Sequence, residues 1–570
     1  MALRQALGRA GRLGRGLLWR WLGGAPPAPA PPAAFLLRPP PPPQPTRSGF
    51  LRDAAARLGL TRGPPSPGLL LFRQLVPRVP LGPRRLGLAF SLGLALLEPA
   101  LAEQRQAAEA CKDIQTIFVQ RNKPQQDPLG LLRQRGFKLE EYFIGQPIGK
   151  GCSAAVYEAA APFAARGETS LEPQTGRPDQ GGSSDIQAPV VESCQANRWG
   201  AGFPLAIKMM WNISAGSSSE GILSNMSQEL VPASGSAFSG EFGAIACPRK
   251  PIFGKKRLKP HPNIVQVIRA FTSHVPLLPG ATVDYPDVLP STLYPSGIGH
   301  SRTLFLVMKN YPCTLRQYLS EKSPGPHLGT MMILQLLEGV DHLIRHGVAH
   351  RDLKSDNILV EFDSAGCPGL VITDFGCCLA DEKVGLKLPF TSWYVDRGGN
   401  SCLMAPEVVS VTPGPGVVID YTKADTWAVG AIAYEILGVC NPFYSKGGAA
   451  LESRNYRDKE LPPLPETVPP ELKSLVGRLL RRDPAKRLSA RVAANVLHLS
   501  LWGGTLLGSK DLRVDKVVGW LLHQSAAALL ADRLGGGVET RLKRCFLANL
   551  EYEELCEAAA LLRAWGSAAP

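Results

Sequence analysis

His350-Arg351-Asp352-Leu353-Lys354-Ser355-Asp356-Asn357, followed 17 residues after Asn357 by Asp374-Phe375-Gly376, is the stretch that decides the fold. Moving a phosphoryl group onto a hydroxyl needs an Asp to accept or orient the hydroxyl proton, and a nearby Asn and a separate Asp to hold Mg²⁺. Asp352 suits the first task and Asn357 and Asp374 the second, because Mg²⁺ requires hard oxygen ligands. Alone, each fragment also reads blandly: the first as surface charge, the second as a turn.

Upstream, Ile148-Gly149-Lys150-Gly151-Cys152-Ser153-Ala154-Ala155-Val156 follows a stretch that reads as a strand, Tyr142–Ile148. It resembles the Gly-rich loop of protein kinases, GxGxxGxV, with Ala154 in place of the third Gly. Glycines let backbone amides approach phosphate oxygens closely. Leu205-Ala206-Ile207-Lys208 is a short apolar strand ending in Lys, the type that reaches the α- and β-phosphates. Such a Lys needs an acidic partner. Ile222, Met226 and Leu230 form an inward helical stripe over 222–230 that Glu229 shares, whereas Glu220 points away and Glu241 lies among helix breakers. Glu229 is the candidate. Downstream, Ala405-Pro406-Glu407 closes a segment begun at Asp374, Arg487 is placed to pair with Glu407, and Asp425 opens an apolar helix that can fasten the catalytic loop from beneath. In this order the bland readings cannot all hold.

The segments 142–157, 204–208, 350–357, 374–376, 405–407 and 425–430 together resemble the eukaryotic protein-kinase family. The resemblance implies an α+β, two-lobed fold with N-lobe insertions, an α-helical C-terminal extension, and ATP and Mg²⁺ in the cleft. It also implies an ATP site formed by Ile148, Gly149, Lys150, Gly151, Cys152, Ser153 and Val156, with Lys208. Met308 stands as gatekeeper and Lys309-Asn310-Tyr311 as the adenine-contacting hinge. Asp352, Lys354, Lys208 and Glu229 are the implied catalytic set, and Lys354 at its position is typical of Ser/Thr specificity. The stretches Phe203–Ser214, Asp284–Pro290 and Trp393–Asn400 resemble more narrowly a family of mitochondrial Ser/Thr kinases. That resemblance implies ubiquitin and the ubiquitin-like domain of the ligase parkin as substrates. It further implies association with the mitochondrial import translocase, a place on the outer membrane facing the cytosol, import toward the inner membrane with a processed cytosolic form, and a role in mitophagy. A dimer that autophosphorylates in trans is implied as well.

The rest of the chain accords with such a plan. Of the 63 basic and 48 acidic residues, 14 Arg and one Asp lie in 1–97, so this segment carries +13 of the net +15. The remaining body is nearly neutral, which argues against nucleic acid as a partner. Arg4, Arg9, Arg12, Arg15 and Arg20 fall within about 160° of a helical wheel, opposite Leu3, Leu7, Leu13, Leu17 and Trp21, the pattern of a mitochondrial presequence. A Pro-rich spacer completes residues 1–85. Leu86–Leu97 is a 12-residue uncharged run, short against the ~20 residues that span a bilayer, and reads as a marginal membrane segment over 86–102. A linker or helix follows over 103–136, then the kinase domain over 137–500 with inserts at about 158–202, 212–219 and 272–302, and the extension over 501–570. The first insert reads as disordered and the third as ordered but non-helical. Val514–Leu534 and Thr540–Trp565 read as amphipathic helices whose apolar faces need the C-lobe or the 103–122 segment as partner.

Ser217, just before the positive N-terminus of the helix bearing Glu229, is a candidate autophosphorylation switch, with Ser392, Thr391 and Ser401 as rivals. Twelve Cys without a CxxC pair indicate free thiols. A pseudokinase scaffold at the mitochondrial surface is the alternative from another class, but its usual mark is loss of a residue equivalent to Lys208, Asp352 or Asp374, and all three are present.

Overall fold

The computed structural model describes residues 103–119, 135–161, 203–238, 254–444, 450–507, 513–533 and 536–566. The presequence, the spacer, the 86–97 run, Glu241 and residues 162–202 of the first expected insert fall outside them, while 158–160 still belong to a strand. The chain divides into a unit 1–106, of which only helical residues 103–106 are described, and a unit 107–570. Among the described residues no helix is long and apolar enough to cross a membrane.

In the second unit, five antiparallel strands make the first layer: β1 (Phe143–Lys150), β2 (Ala154–Ala160), β3 (Leu205–Met210), β4 (Val267–His274) and β5 (Arg302–Lys309), in the order β1-β2-β3-β5-β4. Every residue of β3 is buried, yet its period of two still sorts them. Leu205, Ile207 and Met209 enter one apolar cluster with Tyr157, Phe271 and Phe305. Ala206 and Met210 enter the other, so Lys208 shares their face.

The second layer begins with β6 (Cys313–Thr314), β7 (Ile358–Phe362) and β8 (Pro368–Ile372), and β9 (Lys387–Pro389) pairs β10 (Val418–Asp420). Its helices follow α1, which covers 103–119, and α2 (Ser219–Asn225). The longer ones are α3 (Pro326–Arg345), α4 (Ala424–Ile436), α5 (Pro470–Leu479), α6 (Ala490–Trp502), α7 (Val514–Arg533), α8 (Val538–Ala548) and α9 (Tyr552–Gly566). α3 starts on a Pro in its first turn and ends before Gly347, whose φ of +66° suits a residue without a Cβ. Both α3 and α4 are buried along most of their length.

The extension packs on the C-lobe as part of one core: Leu337, Leu497, Phe546 and Leu555 share a cluster that also takes in Cys111, Ile114 and Phe118 of α1. Both partners foreseen for the tail are therefore present. A buried charge cluster stitches α3 to α6, with Arg491 bonded to both oxygens of Glu338 (3.0 and 2.7 Å) and to Asp341 (2.7 Å). At the other end of the tail, α8 is fastened to the β7–β8 turn: the Val538 amide donates to Asp363 (3.0 Å) and Arg541 pairs with Glu361 (2.8 Å). Glu361 also holds Lys309 of the hinge.

Three expectations need correction. The segment 222–230 is not one helix: α2 stops at Asn225, Met226 leaves helical geometry at φ −100°, ψ 18°, and Ser227–Leu230 forms a 3₁₀ turn. Ser224, Asn225 and Ser227 compete for backbone hydrogen bonds and favour such a break. The third insert contains one helical turn, Ala281–Asp284, and a 3₁₀ turn, Pro286–Val288. The helix foreseen over 540–565 is two, because Asn549 leaves helical geometry at ψ 23° and Leu550 turns into the core. The ten described cysteines form no disulfide among the described residues.

Candidate active site

Lys208 leaves β3 into the cleft and meets Glu229 from below, with its ammonium 2.9 Å from each carboxylate oxygen. The 3₁₀ turn thus delivers the residue that helical periodicity singled out, by a different local geometry. The same ammonium lies 2.9 Å from Asp374 Oδ1. Burial alone would depress the Lys208 pKa, but Glu229 and Asp374 outweigh it and hold the group above its ordinary range. Lys208 in turn holds the Asp374 carboxyl below its own, against burial. Burial pushes the Glu229 carboxyl up, with Lys208 pulling against it. Gly376 is required here: a Cβ on it would come 2.6 Å from Glu229 Oε1.

The catalytic loop is braced from several sides. Asp425 accepts from the amides of His350 (2.7 Å) and Arg351 (3.0 Å), from beneath the loop as foreseen, and burial pushes its pKa up. This grip stabilises Arg351 at φ 65°, a left-handed conformation that a non-Gly residue rarely takes. Arg351 also reaches across to the activation segment, donating to the carbonyls of Cys377 (2.7 Å) and Asp396 (2.9 Å). His350 Nε2 donates to the Thr373 carbonyl at 2.9 Å, which leaves Nδ1 to accept from the Asp352 amide at 3.3 Å. Arg487 grips both oxygens of Glu407 (2.6 and 2.9 Å).

The two oxygens of Asp352 differ. Oδ2 accepts from Asn357 Nδ2 (2.9 Å) and Lys354 Nζ (3.1 Å), whereas Oδ1 is buried without a partner. A buried carboxylate oxygen in that state is the place for a donor from outside the chain. Burial would lower the Lys354 pKa, but Asp352 overrides it and raises it. Asn357 donates twice to Asp352, to its carbonyl and to Oδ2, which leaves its own side-chain oxygen for a cation. With the second oxygen of Asp374 outside the Lys208 pair, the donor set is hard oxygen and fits Mg²⁺.

The Gly-rich turn is closed by the Gly151 amide on the Ala154 carbonyl at 2.9 Å. Ala154, the departure from the glycine pattern, is buried on the cleft side, while Ile148, Cys152 and Ser153 are exposed and Val156 packs inward. The side chain of Lys150 does not enter the cleft; it bonds the third insert at Asp284. Met308 is buried near the end of β5, and the hinge is pinned where Asn310 bonds Pro204 (3.0 Å) and Phe203 (3.1 Å). Burial raises the Tyr311 pKa. Ser217 is exposed, with its hydroxyl 3.2 Å from that of Ser301, next to Ser218, whose hydroxyl caps α2. Ser392 lies in the activation segment beside exposed Trp393 and Tyr394, well away in sequence from the charged cluster. Sequence reading missed Gly399, which backs onto Asp352: a Cβ there would lie 2.6 Å from Oδ1. The tandem Gly398-Gly399 was the available signal.

A buried Lys–Glu pair that also reaches Asp374, and a loop aspartate with one open oxygen and hard-oxygen groups beside it, set between a five-stranded lobe and a helical one, make up the arrangement of an ATP-dependent protein Ser/Thr kinase. Residues 253–499 match the family model described as protein kinase domain. The whole chain is similar to serine/threonine-protein kinase PINK1, mitochondrial, of Homo sapiens (57% identity), Rattus norvegicus (58%) and Mus musculus (57%), with 100% of both chains covered each time. The chain belongs to the PINK1 family of mitochondrial serine/threonine-protein kinases.

Proposed function

We propose that this enzyme transfers the γ-phosphate of ATP to a hydroxyl of ubiquitin and of the ubiquitin-like domain of parkin, marking damaged mitochondria for mitophagy. The observation that carries the chemistry is the asymmetry of Asp352: Oδ2 is tied to Asn357 and Lys354, and Oδ1 is open for an acceptor hydroxyl. In this reading Asp352 orients the hydroxyl and takes its proton, while Lys354 stabilises the charge that develops beside it. Lys208, fixed by Glu229, holds the α- and β-phosphates, and the amides of 149–156 cover them. Ile148, Val156 and the Met308–Tyr311 segment receive the base. Asn357 and Asp374 hold Mg²⁺, which when bound neutralises charge on the phosphates.

The choice of protein substrates rests on the resemblance to the named family. So does the placement on the outer membrane with the import translocase as partner, and the dimer for trans-autophosphorylation. Ser217 is the proposed switch: it precedes the Ser218 cap of α2 and touches Ser301 at the end of the third insert, so a phosphate there would bear on both elements. Ser392 is a second proposed site. The test is transfer of labelled γ-phosphate to ubiquitin by the full chain, beside Asp352→Ala. Transfer that disappears in the variant supports the reading. Absence of transfer by the unsubstituted chain, or transfer that survives the substitution, overturns it.

A further inference from the structure

The Gly-rich hairpin carries a contact that nucleotide chemistry does not ask for. Tyr157, on β2 next to Val156, turns its ring to the face of the sheet away from the cleft and is wholly buried. Its hydroxyl donates to the Pro279 carbonyl at 3.1 Å and lies 2.5 Å from the hydroxyl of Tyr285. A phenol has one hydrogen, so Tyr157 spends its own on Pro279 and receives that of Tyr285. Burial raises the pKa of both phenols, so both keep their protons at neutral pH. At the tip of the hairpin, Lys150 donates to the Asp284 carbonyl and stands 3.8 Å from its carboxylate.

These bonds all run from β1–β2 to the turn Pro279–Tyr285 of the third insert. Leu278, Ala281 and Tyr285 also pack on Ala155 and Tyr157 in one apolar cluster, but toward the loop tip a cleft of about 220 Å³ remains between Pro147, Gly149 and Ala155 on one side and Asp284 and Tyr285 on the other, so there the polar bonds supply the link. Gly280, at φ +76°, lets the turn fold back against Asp284. The far end of the insert is anchored to the other flank of the lobe, where the His300 amide bonds the Asn212 carbonyl at 2.8 Å, and the insert is closed at its base by the Val275 amide on the Ser301 carbonyl at 2.9 Å. The insert therefore bridges the Gly-rich loop and the segment leading into α2.

We propose that Tyr157 and Tyr285 are positioning residues for nucleotide: the insert, through their hydroxyl pair and through Asp284, holds the Gly-rich loop in its phosphate-binding shape. They touch no phosphate and act through the hairpin. By reciprocity, whatever orders or displaces the insert changes nucleotide affinity, and nucleotide in turn orders the insert. The inference rests on the reading of the cleft as an ATP site and is independent of which protein is phosphorylated.

The test uses the full chain, with affinity for MgATP from displacement of a fluorescent ATP analogue and kinetics from autophosphorylation at varied ATP, so no protein substrate is needed. Tyr157→Phe and Tyr285→Phe each remove one hydroxyl and keep the ring. One hydrogen bond of this kind corresponds to roughly a threefold to tenfold change. Each variant is expected to weaken MgATP affinity and raise KM for ATP by about that factor, with kcat within about twofold. The double variant is expected to be no weaker than the worse single one, because both act on one contact. Ile298→Ser, on the exposed face of the same insert, is expected to leave affinity unchanged. Unaltered affinity in both Tyr variants, whatever their melting temperatures, overturns the proposal, as do strictly multiplicative effects or an equal loss in Ile298→Ser. Failure of the unsubstituted chain to bind MgATP would sink the ATP reading and this inference with it.

Discussion

Gly399 and Asp352 are in backbone-to-carboxylate contact: a methyl group on Gly399 would sit 2.6 Å from Oδ1 and 2.7 Å from Cγ of Asp352, and 2.9 Å from the Cys377 sulfur. The open oxygen of the catalytic-loop aspartate is thus walled by a residue that has no side chain. Gly399→Ala is expected to displace Asp352 by a fraction of an ångström and cut kcat about a hundredfold, because misplacement on that scale is enough. Affinity for MgATP should hold. Steady-state kinetics with nucleotide displacement check the split.

Lys208 satisfies two carboxylates in a buried site. Lys208→Met leaves Glu229 buried without its partner, so both activity and stability should fall, by about 10²–10³-fold in kcat and about 3–5 kcal/mol in unfolding free energy. Adding Glu229→Gln to Lys208→Met should restore part of the stability and none of the activity. Denaturant titration and phosphotransfer assays separate the two.

Asp425 is the sole side chain holding the His350 and Arg351 amides among the described residues. Asp425→Ala strands two donors and releases a left-handed residue, at about 1–3 kcal/mol for each unsatisfied donor. A lower melting temperature together with a kcat at least tenfold lower is the expected result. Asp425→Asn, which keeps one acceptor, should fall between.

Arg491 faces Glu338 and Asp341 at full burial, and His498 adds a further bond to Glu338 at 3.0 Å. Arg491→Met leaves Glu338 with only the His498 ring and Asp341 with only the partly exposed Arg345 (2.8 Å), and should destabilise the chain by about 3–5 kcal/mol. Chemical denaturation of the full chain measures it.

His261, His342 and His346 stack with ring centroids 4.5 and 4.2 Å apart. Burial holds all three below the ordinary imidazole pKa of 6.5, His261 at about 4 and His342 at about 2. Below pH 6.5 the unfolded chain therefore binds protons that the folded chain refuses, and stability falls as pH drops from about 6.5 toward 4. His342→Gln, which retains a donor for the Lys259 carbonyl, should flatten that slope in melting curves taken across the window.

The residues that do chemistry were legible because phosphoryl transfer dictates both their type and their order. Lys208 meets Asp374 from a motif more than 140 residues upstream of the one that carries Asp352 and Asn357. Periodicity also found Glu229, although it assumed a continuous helix; what mattered was the face, and the 3₁₀ turn preserves it. The contacts that escaped reading are long-range pairings made through an insert or a loop. Tyr157 looks like any strand tyrosine until Tyr285 is placed beside it, and the tandem Gly398-Gly399 marks a tight approach without saying that Asp352 is what it approaches. The break at Asn549 escaped for another reason: Leu550 continues the apolar pattern while leaving the helix.

Glu361 answers to two elements at once, Arg541 of α8 and Lys309 of the hinge. A single carboxylate thus ties the last helices to the edge of the strip of backbone proposed to cradle adenine.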